Sequence, residues 1–436
     1  MAGPRLLFIA FPFPPSRGAG VYRTVAVANH LAARGWDVTA IAPDDEYFDR
    51  YQGSEDRSLI SWVSPSVRVK RVLLTNPYLE TDVRRMSLAR VAAPTRHARR
   101  VQKLRTQVSP LDHYPFWYEP VVREGLRASF LRRFDVILAT GNPFSSFVAA
   151  RELSRLTKRP YVLDYRDAWT LDQFEGTIKP GATETALALE YSLLSDASGV
   201  ISVNEEILGW LNRTHRVPSS VQRMVIPNGF DPHFVGSNSG RTPNHDSPIQ
   251  VLHIGTLVPG KMDWESMLGQ FSRTAHTHSM DLRLDVYGHL GFSGKQETSL
   301  RDLFEHDGYV NYQGPVNRAQ VSTLYDKADV LYLPLYESPY VTSGKVYEMM
   351  ATGKPILAWG AASAGALKPL QGYPSLVRAD TARPSGWADA LATAARMARE
   401  PSGDLARASR GFAVQYERDR QLEPLDGLLR RIARRG

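Results

Sequence analysis

The run with the most chemistry in its letters is residues 342–355, Thr-Ser-Gly-Lys-Val-Tyr-Glu-Met-Met-Ala-Thr-Gly-Lys-Pro. Ser343 has the side chain of a helix N-cap, Gly344 leaves the backbone bare, and Lys345 sets an ammonium beside the positive end of the helix dipole. Together they suit a diphosphate. Glu348 follows about 7 Å further along the axis from Ser343 at the helical rise, and its carboxylate can accept both hydrogen bonds of a ribose diol. Gly353, Lys354 and Pro355 then stop the helix. The plain alternative is an exposed helix with an incidental Glu–Lys pair. A second loop, Gly255-Thr256-Leu257-Val258-Pro259-Gly260-Lys261, follows a predicted strand and has the phosphate-cradling pattern up to its lysine. Met262 stands where that pattern needs a hydroxyl for magnesium, so nucleotide hydrolysis is disfavoured; Lys261 is left as a phosphate contact or as a surface lysine.

Weaker signals lie earlier. Gly18-Ala19-Gly20 follows the first predicted strand and precedes a helix, so its backbone N–H groups suit a phosphate or a sugar, or it is only a permissive turn. As a dinucleotide fingerprint it lacks the third glycine, because Arg23 stands there, although Asp44 and Asp45 fall near the distance expected of a ribose-binding acid. Arg166 and Asp167 fall at the carboxyl end of a strand, where open α/β sheets bind ligands. Asp167 there would orient or deprotonate an acceptor hydroxyl, or pair with a neighbouring cation. Tyr114, Phe116, Trp117 and Tyr118 offer aromatic faces to a sugar ring or an apolar aglycone, or form a packing cluster. No cysteine is present, which excludes disulfides, thiolate nucleophiles and cysteine-ligated metal, and the eleven histidines show no His-Glu-x-x-His spacing.

These residues need a frame to hold them. The opening reads as strand 6–11, a Pro/Gly loop, helix 21–34 stopped by Gly35, and strand 38–42, which is a βαβ unit. Short apolar strands over 135–140, 161–165, 199–203 and 224–227 continue a parallel sheet. Residues 230–248 lose apolar periodicity and read as a linker. The pattern then restarts with strands 250–254, 282–287, 310–313, 330–334 and 355–359 and helices 264–276, 318–327 and 344–352. The predicted fold is α/β, two doubly wound Rossmann-like domains facing a central cleft, with residues 1–235 as the first domain and 236–248 as the linker. Residues 249–408 form the second domain, and 409–436 an arginine-rich helical segment returning toward the first.

A length of 436 residues, 43% of them hydrophobic and 22% charged, gives each domain a sizeable core and excludes global disorder. The uncharged stretch 6–15 is too short to span a bilayer and carries three prolines, so no transmembrane helix is expected, and Arg5 with the apolar letters after it reads as a buried strand and not a secretion signal. The net charge of +8 favours phosphate-bearing or anionic partners. It is concentrated between Arg84 and Arg105, where eight basic side chains occur and no acidic one. That run is a solvated helical face, or it meets anionic membrane headgroups or a lipid-phosphate acceptor; nucleic acid is not expected, since no such motif accompanies it.

The sequence resembles the family 4 glycosyltransferases of the GT-B fold over nearly its whole length. The segment 7–23 is similar to that family's opening strand and glycine loop, and Tyr-Val-Leu-Asp-Tyr-Arg-Asp-Ala-Trp at 161–169 to the end of its fourth N-domain strand. Ile-Pro-Asn-Gly-Phe-Asp at 226–231 resembles its pre-linker signature, and Tyr-Gln-Gly-Pro-Val at 312–316 and the run 343–355 follow in the same order and spacing. The resemblance implies a nucleotide-sugar donor held mainly by the second domain: the base near Val316, the ribose on Glu348, and the diphosphate near Lys261 and the Ser343–Gly344 helix end. Two departures stand out. Tyr340 occupies the place of the family's first glutamate, with Glu337 displaced by three residues, and Thr256 stands where an arginine frequently follows the loop glycine.

The expected activity is transfer of a sugar from a nucleoside diphosphate sugar to an acceptor hydroxyl, with retention implied by the resemblance alone. Lys261, Lys345 and the helix end would stabilise the departing diphosphate. Gly18, Gly20, Thr256, Lys261, Val316, Ser343, Gly344, Lys345 and Glu348 are the expected donor contacts, Asp167, Lys261 and Lys345 the expected catalytic groups, and Arg166, Tyr114 and Trp117 the acceptor side. No cofactor and no metal are expected, in keeping with the lack of an Asp-x-Asp. The expected acceptor is a sugar, a lipid-linked compound or a small molecule, and the expected location the cytoplasm or the inner face of the membrane. A nucleotide-sugar epimerase and a non-catalytic nucleotide-sugar-binding protein of the same fold are the alternatives.

Overall fold

The computed structural model describes residues 3–108, 110–235, 247–257, 264–289, 304, 308–379 and 386–435. Two compact units divide the chain: Met1–Asp172 with Gly176–Pro227 and Gln421–Gly436, and Gln173–Glu175 with Asn228–Arg420. These edges differ from the sequence-based ones, since 228–235 and 409–420 go with the second unit. Most of the expected linker, 236–246, lies outside the described residues.

The first unit is built on β1 (Arg5–Ile9), β2 (Asp37–Pro43), β3 (Arg68–Val72), β4 (Val136–Gly141) and β5 (Tyr161–Tyr165), with a small hairpin β6 (Leu171–Asp172) and β7 (Thr177–Ile178), and then β8 (Gly199–Ser202) and β9 (Gln222–Val225). Its seven-stranded sheet runs β3-β2-β1-β4-β5-β8-β9, every pair parallel. Strands β1, β2, β4 and β5 are near-continuous apolar runs because both faces of the sheet are covered. In this seven-stranded sheet β3 escapes sequence reading, as do the short β6 and β7 and the strand Leu376–Arg378 elsewhere: as Arg-Val-Lys-Arg-Val at the sheet edge β3 is half in water, and its charges blunt the open edge.

On one face the helix Val21–Ala33 packs beside the C-terminal helix Arg418–Ala433, whose Leu422, Leu425, Leu428, Leu429 and Ile432 share a core with Leu6, Phe8 and Leu31. Gly35, at φ +83°, ends the first of these helices in the left-handed conformation that suits glycine. Trp36 anchors the second, donating Nε1–H to Asp426 at 2.7 Å under the Arg430 guanidinium. Truncating any of the buried leucines should cost about 2–5 kcal/mol. The expected single helical segment from 409 onward is in fact broken: Gly403–Ala413 packs in the second unit, a 3-10 turn Val414–Tyr416 follows, and only the last helix joins the first unit.

The second unit repeats the plan with β10 (Ile249–Ile254), β11 (Leu282–Tyr287), β12 (Val310–Gly314), β13 (Val330–Leu335), β14 (Ile356–Gly360) and β15 (Leu376–Arg378), in the order β12-β11-β10-β13-β14-β15 and parallel throughout. Alternation divides β13 cleanly: Val330 and Tyr332 enter one core, Leu331, Leu333 and Leu335 the other. The order reverses between β10 and β13, the place where doubly wound sheets bind ligands. There the two strands pair only at Val251–Val330 and Leu252–Leu331, so their carboxyl ends part and Pro334, which has no N–H to offer, is tolerated in a central strand. Among the described residues no helix is long and apolar enough to cross a membrane.

Candidate functional site

Where β10 and β13 part, side chains replace the missing ladder. His253, buried, faces the Tyr332 carbonyl through Nδ1 at 3.3 Å, while its Nε2 is buried without a partner among the described residues. Lys345 reaches back from the helix Lys345–Ala351 and donates Nζ–H to the Ile254 carbonyl at 2.7 Å. Burial pulls the Lys345 ammonium down to about 8, against the opposing pull of Glu348, and burial followed by the nearby Lys345 charge lowers His253 to about 4. An ammonium has three donors, and one is spent on Ile254. Gly255 makes this closeness possible, for a Cβ there would lie 2.9 Å from His253 Nε2 and 3.7 Å from Lys345 Nζ.

One turn on, Glu348 is buried and gripped by Arg318, whose two terminal nitrogens donate to its two oxygens at 2.9 and 2.6 Å. The Tyr325 hydroxyl reaches the same carboxylate at 3.4 Å, and burial, then the charge of Glu348, raises that phenol well above its ordinary value. Arg318 and Tyr325 sit on the helix Arg318–Lys327, which starts just after Val316; Val316 itself is half-buried against the core of Val321, Tyr325 and Val346. The helix thus ties the Val316 loop to Glu348. Among the described residues Oε1 accepts from Arg318 alone and keeps a lone pair, whereas Oε2 takes both Arg318 and Tyr325. Nothing in the spacing of the sequence singles out Arg318, thirty residues from its partner, or His253, which sits inside a strand.

The helix end is not as expected. Its cap is Gly344 and not Ser343, and the helix has seven residues, too few for much of a macrodipole. Ser343 is exposed and its Oγ accepts from the Lys345 backbone N–H at 3.2 Å. Fixed charge here therefore comes from Lys345. Thr256 is half-buried in the loop after β10, Glu337 is exposed, Tyr340 is half-buried, and Lys261 lies outside the described residues.

In the first unit, Gly20 caps the helix Val21–Ala33, and a Cβ on it would fall 2.4 Å from the Arg166 guanidinium. Gly20 thus admits Arg166, whose terminal nitrogen pairs with the half-exposed Asp167 at 2.8 Å. Gly18 is exposed, and its N–H donates to Ser16 Oγ at 3.3 Å. Arg23, the residue that spoils the dinucleotide pattern, forms a buried bidentate pair with Asp164 at 2.7 and 3.0 Å and also donates to the Ile226 and Pro227 carbonyls. The Thr140 hydroxyl completes Asp164. Asp44 accepts from the Leu74 N–H and Asp45 pairs with Arg71, so both acids near the ribose distance are engaged locally. The acceptor-side aromatics need one correction: Trp117 is fully buried, donates to Ser146 Oγ at 3.0 Å and packs on Phe11, so it is core and presents no face to a ligand. Tyr114 is half-buried, with its ring on Phe11 and its hydroxyl 3.4 Å from Gln52.

Two family matches follow the two units. Residues 18–229 match the glycosyl transferase 4-like domain and residues 248–396 match glycosyl transferases group 1. The chain belongs to the family 4-like glycosyltransferases. No curated protein matches this glycosyltransferase by sequence. Solved structures similar to it include sucrose-phosphate synthase from Thermosynechococcus elongatus, at a TM-score of 0.66 and 16% identity over 99% of this chain and 100% of that one. HepE from Anabaena, in complex with UDP and glucose, aligns at 0.58 and 14% over 98% and 99%. A UDP-N-acetylglucosamine 2-epimerase from Listeria monocytogenes, so described as putative, aligns at 0.53 and 10% over 97% and 95%. These likenesses are of fold, and the fold is GT-B.

Proposed function

We propose that this glycosyltransferase takes a nucleoside diphosphate sugar as donor, binds it through the second unit, and passes the sugar to an acceptor hydroxyl with retention of configuration. The observation that carries the reading is the pairing, at a strand-order reversal, of a half-buried ammonium short of acceptors with a carboxylate one helical turn away. Lys345 suits the diphosphate and stabilises the charge that develops as it leaves; Glu348, held in place by Arg318, suits the ribose diol. The base belongs beside Val316, with Thr256, Ser343 and Gly344 lining the phosphate path and Lys261 adding charge. Asp167, oriented by Arg166, is the first unit's candidate for positioning the acceptor hydroxyl. No cofactor and no metal are required for this chemistry, and a cytoplasmic location, where nucleotide sugars are at hand, fits it. That HepE was solved with UDP and glucose supports the donor class.

The test is a donor screen by thermal shift followed by product analysis. A nucleoside diphosphate at a hundred times its dissociation constant should stabilise the protein by about 2.7 kcal/mol. With the preferred donor, sugar turnover should need an acceptor and keep the anomeric configuration by proton NMR. Conversion of the donor's sugar to its epimer without any acceptor would support the epimerase alternative, and binding without turnover under every acceptor tried would support a binding protein.

A further inference from the structure

The basic run identified in the sequence forms the wall of a cavity. Beyond β3 the chain turns through Leu73–Thr75, makes the 3-10 turn Val83–Arg85 and the short helix Leu88–Ala92, and then the helix Pro94–Val108. With the start of the helix Pro115–Leu131 these enclose a cavity of about 680 Å³, within the usual range of roughly 300–1,000 Å³ for small-ligand sites. Leu73 and Leu74, the first residues past the carboxyl end of β3, are among its lining, so it lies at the carboxyl edge of the first unit's sheet, the edge where such sheets bind ligands.

The lining is of two kinds. Leu74, Met86, Ala93, Val101, Leu104 and Phe116 make an apolar floor, while Arg85, Arg90, Arg96 and Arg100 stand around it with one carboxylate, Glu119. Arg100 pairs with Glu119 at 2.7 Å, Arg85 with Glu46 at 3.2 Å, and Arg90 donates to the Glu80 carbonyl; Arg96 makes no ion pair or hydrogen bond among the described residues. His97, another lining residue, is held below its ordinary value by burial and then by the charges of Arg90 and Arg100. Around the cavity large apolar side chains stand in water: Leu88 is 87% exposed, and Leu73, Leu79, Val83 and Val91 are exposed too. The helix Pro94–Val108 buries only Val108, and Leu88–Ala92 buries nothing. A merely solvated helical face would not need this leucine and valine rim, and nucleic-acid binding would not be served by it.

We propose that this cavity seats a long-chain phosphate ester, its apolar chain on the floor and its phosphate on Arg96 and Arg90, and that such a lipid phosphate is the handle by which the acceptor is presented. The role as acceptor rests on the transferase reading above; the binding does not. Arginine suits the phosphate because its planar donors match the oxygens in pairs, and the exposed leucines suit entry of the chain from a lipid surface.

The test uses the full chain and dodecyl phosphate as monomer, with dodecyl maltoside as the same chain under a neutral head and inorganic phosphate as the head without a chain, all by calorimetric titration. Dodecyl phosphate should bind at least about tenfold more tightly than either control. Arg96→Gln, which removes the phosphate contact, and Ala93→Trp, which fills the floor, should each weaken it at least about tenfold. Arg99→Gln and Lys103→Gln, on the same helix but outside the lining, should change it less than about twofold. Equal binding of the maltoside, or equal losses at Arg99 and Arg96, would mean general detergent or surface-charge attraction and overturn the site, as would no binding at all. The same samples are titrated with the preferred nucleoside diphosphate: if only the lipid arm fails, this inference falls and the donor reading stands, and if only the nucleotide arm fails, the reverse holds.

Discussion

The two sheets share a strand order, yet the loops that leave their first strands serve opposite ends. In the first unit the loop glycine Gly20 is covered by Arg166, and the arginine three residues on is saturated: every nitrogen of Arg23 faces an acceptor on Asp164, Ile226 or Pro227. In the second unit Gly255 opens onto a histidine nitrogen with no partner among the described residues and an ammonium whose hydrogen bond goes to a single carbonyl. A buried charge with all its partners built in is a fastener; one left short keeps capacity for a ligand. Equivalent positions in a repeated topology therefore do not carry equivalent chemistry, and the count of satisfied donors separates the two.

The sharpest way to break this contrast is to remove the fastener. Arg23→Met leaves Asp164 buried with Thr140 as its remaining side-chain partner, which should cost about 3–5 kcal/mol of unfolding free energy in urea. Nucleoside diphosphate affinity of the folded fraction should stay within about twofold. A loss of stability below about 1 kcal/mol, or a matching loss of nucleotide affinity, would dissolve the distinction; Asp164→Asn, of nearly the same shape, serves if Arg23→Met does not fold.

Next in size is the second unit's carboxylate. Glu348→Gln keeps the shape and removes the charge, and since hydrogen bonds to charged groups contribute about 1.5–3 kcal/mol, nucleoside diphosphate affinity should fall about tenfold to a hundredfold. Glu337→Gln, at an exposed position, should change it less than about twofold. Unchanged affinity in a folded Glu348→Gln protein sinks the ribose assignment.

The smallest effect is in pH. Lys345 sits at about 8 against an ordinary 10.5 because burial disfavours its charge. The ammonium is present below about pH 8 in the free protein and is lost above it, so diphosphate affinity should fall with rising pH from there, by at most about tenfold per pH unit. Lys345→Met should bind more weakly and show a flatter profile. The unfolded chain holds this proton up to its higher ordinary value, so between about 8 and 10.5 Lys345 should add stability as pH rises; an affinity that is level across this range would remove Lys345 from the diphosphate site.

Sequence alone determined what depends on near neighbours. Short continuous apolar runs and capped period-three-to-four runs specify strands and helices through backbone geometry, and their alternation leaves little besides two doubly wound sheets. Helical rise put Lys345 and Glu348 on one short helix whatever surrounds it. Edge strand β3 was illegible because half-solvated residues lose the apolar signal, and a run of aromatics at 114–118 reads the same whether it faces a ligand or the core. Only the tertiary structure decided that Trp117 goes inside, that Arg318 closes on Glu348 from thirty residues away, that Arg166 covers Gly20, and that the arginines after β3 ring an apolar cavity. Those choices are made by desolvation: each buried charge or donor must find its partner wherever the crossovers bring one within reach, and no spacing along the chain records where that will be.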